Sequence, residues 1–378
     1  MNKSAYISTI GPSFLLSNYG SFFQHLCLRR FLAKHGYAAA RWKSYDRALS
    51  ETDWLRLRLR HWFYRLYWMV RLPQGFEELR DGLLDTDRMI AKFRKSYKKM
   101  IGPLNEPNDV RPGDLCVLGS DQVLGWKSEA WFPEVKGCAK IVYAGSADWK
   151  KCAVDEEWQS DVRRIFPDFN GVGIREQAGV DLINSLAAPN VKVVQVVDPV
   201  LLTTSEGFCG LASPKKVFKR PTLFCYLVNI RAREQLQLST LEKLAKRLGC
   251  DLRIVGIQGA MGYIPRKYRL VLGPQEFLAA VRDARYVITN SFHGSCFAIH
   301  YQKQFLSITQ IDEPGRDQNA RQRELMSWTG LSAWYCDLVS VEKAAAQIVE
   351  PIDHASVSQA LATRRSSSEK WYNSLGVC

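Results

Sequence analysis

The segment Thr289-Asn290-Ser291-Phe292-His293-Gly294-Ser295 gathers hydroxyls, an amide and an imidazole between an apolar run and a helix-like stretch. The first turn of a helix presents backbone N–H groups that lack intrahelical partners, so this is a natural anion site. An imidazole there can bind phosphate or move a proton. Three other stretches carry similar potential. Gly119-Ser120-Asp121-Gln122 follows the apolar run Leu115 to Leu118. Its carboxylate can activate a hydroxyl or cap a helix. Gly173-Ile174-Arg175-Glu176 pairs a guanidinium with a glutamate that can orient it toward an acidic substrate, or form a structural salt bridge. Ser17-Asn18-Tyr19-Gly20-Ser21 opens a helix-like segment and offers either a ligand contact or an ordinary N-cap.

These loops need strands to hold them. Ala5 to Ile10, Ala38 to Trp42, Asp114 to Leu118, Lys140 to Ala144, Gly171 to Ile174 and Val191 to Val197 read as strands. Helical patterns run from near Ser17 to His35, from Gln74 to Tyr97, and onward from Glu176. A polar stretch with Gly207 and Pro214 then suggests a linker over 206–220. A fresh alternation follows it: strands at Thr222 to Val228, Leu252 to Ile257, Tyr286 to Thr289 and Gln304 to Ile308, with helices at Arg233 to Leu248 and Gln275 to Ala284. The reading is two doubly wound α/β domains facing a cleft: 1–205, 221–340, and a helical tail over 341–378 predicted as helix from Val341 to Ser366. In such sheets ligands bind beyond the carboxyl ends of the strands, where all four loops fall.

The chain has 378 residues and a net charge of +14, an excess that suits an anionic partner. No run of about 18 apolar residues marks a spanning helix, and the N-terminus lacks a secretory pattern, so the expected compartment is the cytosol. Ten cysteines are scattered without CxxC spacing and read as reduced, with no metal site. From Trp54 to Leu72, five arginines and three tryptophans mix with leucines and no acid. This is read as an insertion: a partly buried helix with snorkelling arginines, or a patch for anionic lipid. No nucleic-acid-binding motif accompanies the basic residues.

Taken in order, several blocks resemble the polysaccharide pyruvyl transferase family: Asn18-Tyr19-Gly20-Ser21 with Gln24, Val117 to Val123, Tyr143-Ala144-Gly145-Ser146, Ile174-Arg175-Glu176, Val197-Asp198-Pro199, Gly273 to Leu278, and Ile288 to Gly294. The resemblance runs from about residue 6 to about residue 330. This chain has Leu124 where relatives often carry tryptophan, Asn290 where aspartate is common, and Ser291 where some carry arginine. The resemblance implies a GT-B-like fold with its site between the domains. It also implies phosphoenolpyruvate as donor substrate with no cofactor, and a glycan or lipid-linked oligosaccharide as acceptor. The chemistry assigns His293, Asp121, Arg175 and Glu176 to catalysis. Donor contacts are expected from Arg175, Asn290, Ser291, His293, Gly294, Ser295, Arg316 and Arg321. Acceptor contacts are expected from Asn18, Tyr19, Gly20, Gln24, Ser120, Asp121 and Gln122. An acceptor of that kind would keep the enzyme at the inner face of the cytoplasmic membrane. Two other readings share these features: a GT-B glycosyltransferase using a sugar nucleotide, and a non-catalytic membrane-surface glycan-assembly protein.

Overall fold

A computed structural model describes residues 3–9, 18–42, 62, 66, 77–101, 104–105, 110–125, 128–186, 191–257, 260–310, 317–338 and 340–377. Arg316 and, apart from Trp62 and Leu66, the basic aromatic stretch lie outside the described residues.

The first sheet contains β1 (Lys3–Ser8), β2 (Tyr37–Trp42), β3 (Leu104–Asn105), β4 (Leu115–Leu118), β5 (Ala139–Gly145), β6 (Gly171–Ile174) and β7 (Val193–Gln195). Its order is β3-β2-β1-β4-β5-β6-β7, and all pairs are parallel. The second contains β8 (Thr222–Leu227), β9 (Asp251–Gly256), β10 (Tyr286–Thr289), β11 (Gln304–Ile308) and β12 (Tyr335–Cys336), ordered β12-β11-β10-β8-β9 and also parallel. Central strands such as β4 and β10 are buried along their whole length, which is why they read as unbroken apolar runs.

Winding reverses between β1 and β4 in one sheet and between β8 and β10 in the other. A crevice opens at the carboxyl ends of the strands at each reversal. Gly119 to Asp121 leave β4 at the first, and Asn290 to His293 leave β10 at the second. The longer helices are α1 (Tyr19–Lys34), α2 (Glu77–Met100), α3 (Glu156–Ile165), α4 (Gln177–Leu186), α5 (Leu238–Arg247), α6 (Pro274–Asp283), α7 (Phe292–His300), α8 (Ala320–Trp328), α9 (Val341–Val349) and α10 (His354–Ser374).

The two halves share one apolar core. Tyr19 on α1 stacks on Phe277 of α6 with ring centroids 3.8 Å apart, and Phe23 meets Phe297 of α7 at 5.6 Å. The segment between the sheets is more than a polar tether. Phe208 is fully buried and stacks on His300 at 4.4 Å, so the connection is packed into the seam.

The tail differs from the single helix expected over Val341 to Ser366. Two helices, α9 and α10, are separated at Pro351, which follows Glu350 in an extended conformation (ψ 131°). Proline disfavours helical geometry in the residue before it. Asp353 then caps α10 by accepting from the N–H groups of Ala355 and Ser356. Helix α10 returns to the first sheet. Ser368 accepts from the Val197 N–H at 3.0 Å, Arg365 donates to the Leu201 carbonyl, and Trp371 lies on Gly171 and Gly173. A Cβ at Gly173 would come within 2.8 Å of the Trp371 ring, so glycine there makes the seat for the indole.

Nine cysteines among the described residues are free thiols. Cys116 and Cys138, 22 positions apart, bring their sulfurs to 3.6 Å where β4 and β5 pair, a proximity that spacing alone does not reveal.

Candidate active site

Gly119 has φ 143°, and a Cβ there would sit 2.0 Å from the Tyr143 carbonyl oxygen, so the chain can pass β5 only as glycine. Asp121 follows in a left-handed conformation, φ 71°, which aspartate tolerates better than most residues. Its carbonyl accepts from the N–H groups of Val123 and Ser146, which fixes the turn beside the end of β5.

Arg175 emerges from β6 and is buried. Its Nε donates to Glu176 Oε1 at 2.9 Å and its Nη1 to Asp198 Oδ2 at 2.9 Å. Its Nη2 is buried without a hydrogen-bond partner, 3.8 Å from Asp121 Oδ1. The guanidinium carbon lies over the Phe292 ring, 4.4 Å from its centroid. Glu176 is itself fixed, accepting from Ser146 Oγ at 2.7 Å and Trp149 Nε1 at 2.9 Å. Asp198 caps the single turn Pro199–Leu202 through the Val200 N–H, which orients its other oxygen toward Arg175 and His293.

His293 lies in the first turn of α7. Its Nε2 is 3.4 Å from Asp198 Oδ2, an ion pair when the ring is protonated. On its other edge the ring lies against Gly20 of α1, where a Cβ would come within 2.3 Å of Nδ1. Arg321 of α8 completes the group, its Nη1 3.6 Å from Asp121 Oδ1. The cluster therefore draws on both sheets; Arg175, Glu176, Asp198, Phe292 and Arg321 line a small open cleft with Gln195, Glu324, Trp328 and Arg364 at its other side, and Asp121 and His293 adjoin these lining residues.

The electrostatics follow from this crowding. Burial works against the Arg175 charge, but Glu176, Asp198 and Asp121 outweigh it and raise its pKa above the ordinary arginine value. Burial also opposes the Asp198 charge, yet His293 and then Arg175 hold its pKa down at about 2. Burial and the neighbouring Arg175 lower the pKa of Arg321. Asp121 Oδ1 thus lies 3.8 Å from the Arg175 guanidinium and 3.6 Å from that of Arg321, both longer than a hydrogen bond. Among the described residues no group of three His, Cys, Asp or Glu side chains could hold a metal ion.

The structure brings Asp121, Arg175, Glu176, His293 and Arg321 together, with Gly20 against the imidazole. Other expected contacts have internal partners. Tyr19 is fully buried, its hydroxyl donating to the Leu272 carbonyl at 2.8 Å. Gln24 and Ser120 are buried and bonded to each other, with Gln24 also donating to Thr9 at 2.8 Å. Asn18 caps α1, and Ser291 caps α7 by accepting from the Gly294 N–H. A Cβ on Gly294 would meet the Thr289 hydroxyl at 2.1 Å, so its part is close packing on β10. Ser295 donates to Ser307. Asn290 clamps the Val228 backbone, accepting its N–H at 2.7 Å and donating to its carbonyl at 2.9 Å. Gln122 begins a short 3-10 turn and is half-buried.

Sequence reasoning gave no role to Asp198, although the resemblance included Val197-Asp198-Pro199. An aspartate directly before proline at a strand end is a helix-capping signal, and here the cap also aims the carboxylate. Ser146, Trp149 and Phe292 were likewise given no role, because each acts through a neighbour distant in sequence.

A family model described as polysaccharide pyruvyl transferase matches residues 18–312. No curated protein matches the chain. Among solved structures, an apo structure of OtsA is similar with a TM-score of 0.52 at 8% identity, covering 99% of each chain. The calicheamicin glycosyltransferase CalG4 gives a TM-score of 0.45 at 11% identity, covering 100% of this chain and 99% of that one. The architecture is that of the GT-B fold, two parallel sheets with the cleft between them.

Proposed function

Because the chain belongs to the polysaccharide pyruvyl transferase family, we propose that it transfers the pyruvyl group of phosphoenolpyruvate to two hydroxyls of one sugar in a surface glycan or its lipid-linked precursor. The observation that carries this reading is the buried Asp121–Arg175–Asp198–His293–Arg321 cluster at the cleft between the two sheets. A donor bearing a carboxylate and a phosphate needs cations, and its vinyl carbon needs an acid.

In this mechanism the unpartnered Nη2 of Arg175 and the guanidinium of Arg321 bind the donor's anionic groups. His293, its imidazolium stabilised by Asp198, protonates C3 and leaves C2 cationic. A sugar hydroxyl attacks C2 and gives up its proton to Asp121. Loss of inorganic phosphate regenerates a cationic C2. The second hydroxyl then attacks, releases its proton and closes the ketal. One proton enters at C3, two leave the hydroxyls, the first to Asp121 and the second to the phosphate, which departs with the donor's C–O bond electrons. Glu176 holds Arg175 in place. Among the described residues no helix is long and apolar enough to cross a membrane, so association with a lipid-linked acceptor would be peripheral.

The test is incubation with phosphoenolpyruvate and a panel of lipid-linked oligosaccharides, read by mass spectrometry and phosphate release. A ketal product with one phosphate released per ketal is expected. Consumption of a sugar nucleotide with phosphoenolpyruvate left intact would refute the donor assignment.

A further inference from the structure

A second cleft lies in the second half, at the carboxyl ends of β8, β10 and β11, and it differs chemically from the cluster above. It opens to solvent, and its polar side chains include Asn229, Gln235, Gln237, Asn290 and Gln310. Leu227, Ile230, Leu236, Ile308 and Leu338 supply an apolar wall. Among the described residues none that lines it is ionisable. Apolar walls with a few convergent polar groups are the usual composition of a small-ligand site.

The amides are ordered by one another. Asn229 Nδ2 donates to Gln310 Oε1 at 2.9 Å and to Gln318 Oε1 at 3.2 Å, while Gln310 Nε2 donates to the Asn290 carbonyl at 2.7 Å. Gln235 Oε1 accepts from the Arg231 N–H at 2.7 Å. Gln310 uses both ends of its amide in these bonds and Asn290 both ends on Val228, whereas Asn229 Oδ1 and Gln235 Nε2 take no part in them. Asn229 is held at φ 57°, a left-handed conformation that turns the chain at the end of β8.

We infer that this cleft is a subsite for a neutral sugar of the acceptor glycan, adjacent to the residue that receives the pyruvyl group; the inference rests on the pyruvyl-transfer reading. A sugar ring offers hydroxyls that both donate and accept, which amides match, and an apolar face that the leucines and isoleucines match. Phosphoenolpyruvate does not fit, because no lining residue supplies a cation for its carboxylate and phosphate. The cleft also adjoins the reacting centre in the chain. Asn290, whose carbonyl accepts from Gln310 Nε2 and whose side chain clamps β8, lies three residues before His293. A neighbouring sugar bound here would fix which residue of the chain lies over the cluster.

The experiment is saturation-transfer NMR on the full chain with three probes: neutral methyl hexosides and their disaccharides, uridine, and phosphoenolpyruvate. The wild type is compared with Asn229→Gly, whose backbone suits the left-handed conformation, and with Gln235→Ala. Neutral sugar signals are expected in the wild type and to fall at least about five-fold in both variants, with phosphoenolpyruvate signals unchanged. Absence of sugar signal in the wild type, or equal signal in variants that melt like the wild type, overturns the subsite. Preference for uridine over every sugar overturns it as well. Circular dichroism reports the fold of both variants, and Gln235→Ala on its own decides the matter if Asn229→Gly fails to fold. Phosphoenolpyruvate failing to bind the wild type would instead count against the donor reading, while the sugar signals would still decide the subsite.

Discussion

Replacing Asp198 with asparagine removes one charge and little volume. In the folded chain the carboxylate is buried, 2.9 Å from Arg175 Nη1 and 3.4 Å from His293 Nε2. Its pKa falls from the ordinary 3.8 to about 2. At about 1.36 kcal/mol per unit, that depression corresponds to roughly 2–3 kcal/mol of stability. Breaking a buried pair by deleting one partner typically costs about 3–5 kcal/mol, but asparagine keeps an acceptor for Val200 or Arg175. The expected loss for Asp198→Asn is therefore about 2–4 kcal/mol in urea unfolding at pH 7. The sign is set by a depressed carboxylate. Its contribution is present above the unfolded pKa and is lost as pH falls from about 4 through about 2. The gap between wild type and variant should thus close as pH falls from about 4 through about 2. Turnover should fall by about 10²-fold, through kcat more than through the KM for phosphoenolpyruvate, since Asp198 positions His293 and Arg175 rather than touching the donor. An Asn variant that matches the wild type in both urea midpoint and kcat would refute the reasoning.

His293→Ala should reduce phosphate release from phosphoenolpyruvate by about 10²- to 10⁴-fold with an unchanged circular dichroism spectrum; a folded variant with normal turnover would remove the imidazole from the mechanism. Gly20→Ala adds a methyl where His293 Nδ1 stands 2.3 Å away, so the ring must shift. Alanine favours helix by about 1 kcal/mol, so kcat should drop about 10²-fold while the melting temperature changes little; equal kcat would show that the ring's seat is loose. Trp371→Ala should cost about 3–5 kcal/mol in urea unfolding, because it empties the seat over Gly171 and Gly173. Replacing Arg56, Arg58 and Arg60 with glutamine should weaken salt-sensitive pelleting with anionic vesicles by about 1 kcal/mol per arginine; identical pelleting of variant and wild type would assign the stretch to packing.

Much of the architecture is written in local pattern. Apolar runs such as Leu115 to Leu118 and Tyr286 to Thr289 are central buried strands, and the loops after them lie at the two reversals of winding. That is why the sequence itself points to Asp121, Arg175 and His293 as candidates. What was not legible depends on long-range approach. Tyr19 stands beside Gly20 in sequence, but a helix turns successive side chains to different faces, and Gln24, one turn on, finds partners distant in the chain. Tyr19 enters the shared core against Phe277, and Gln24 bonds to Thr9 and Ser120. Asn290 looks like a ligand residue from its neighbours, yet it serves the Val228 backbone. The helix α8 that carries Arg321 has no clear apolar stripe, and the strands β3 and β12 span two residues each, too short for any period to show. Helix α10 could be foreseen as helical, but nothing in its own residues says which sheet it will cover.

The return of α10 has a consequence for the order of events at the ribosome. Arg364 donates to Gln195 across 169 positions of chain, and Trp371 closes over strand β6. The first sheet is translated early but waits for these late residues to cover it. Until they emerge, the face around Gly171 and Gly173 is bare and open to wrong partners. Domains made early in synthesis usually fold as they appear. Here the first cannot be finished until the second has been made, so the same helix that joins the two halves also makes completion of the cleft a single, late step.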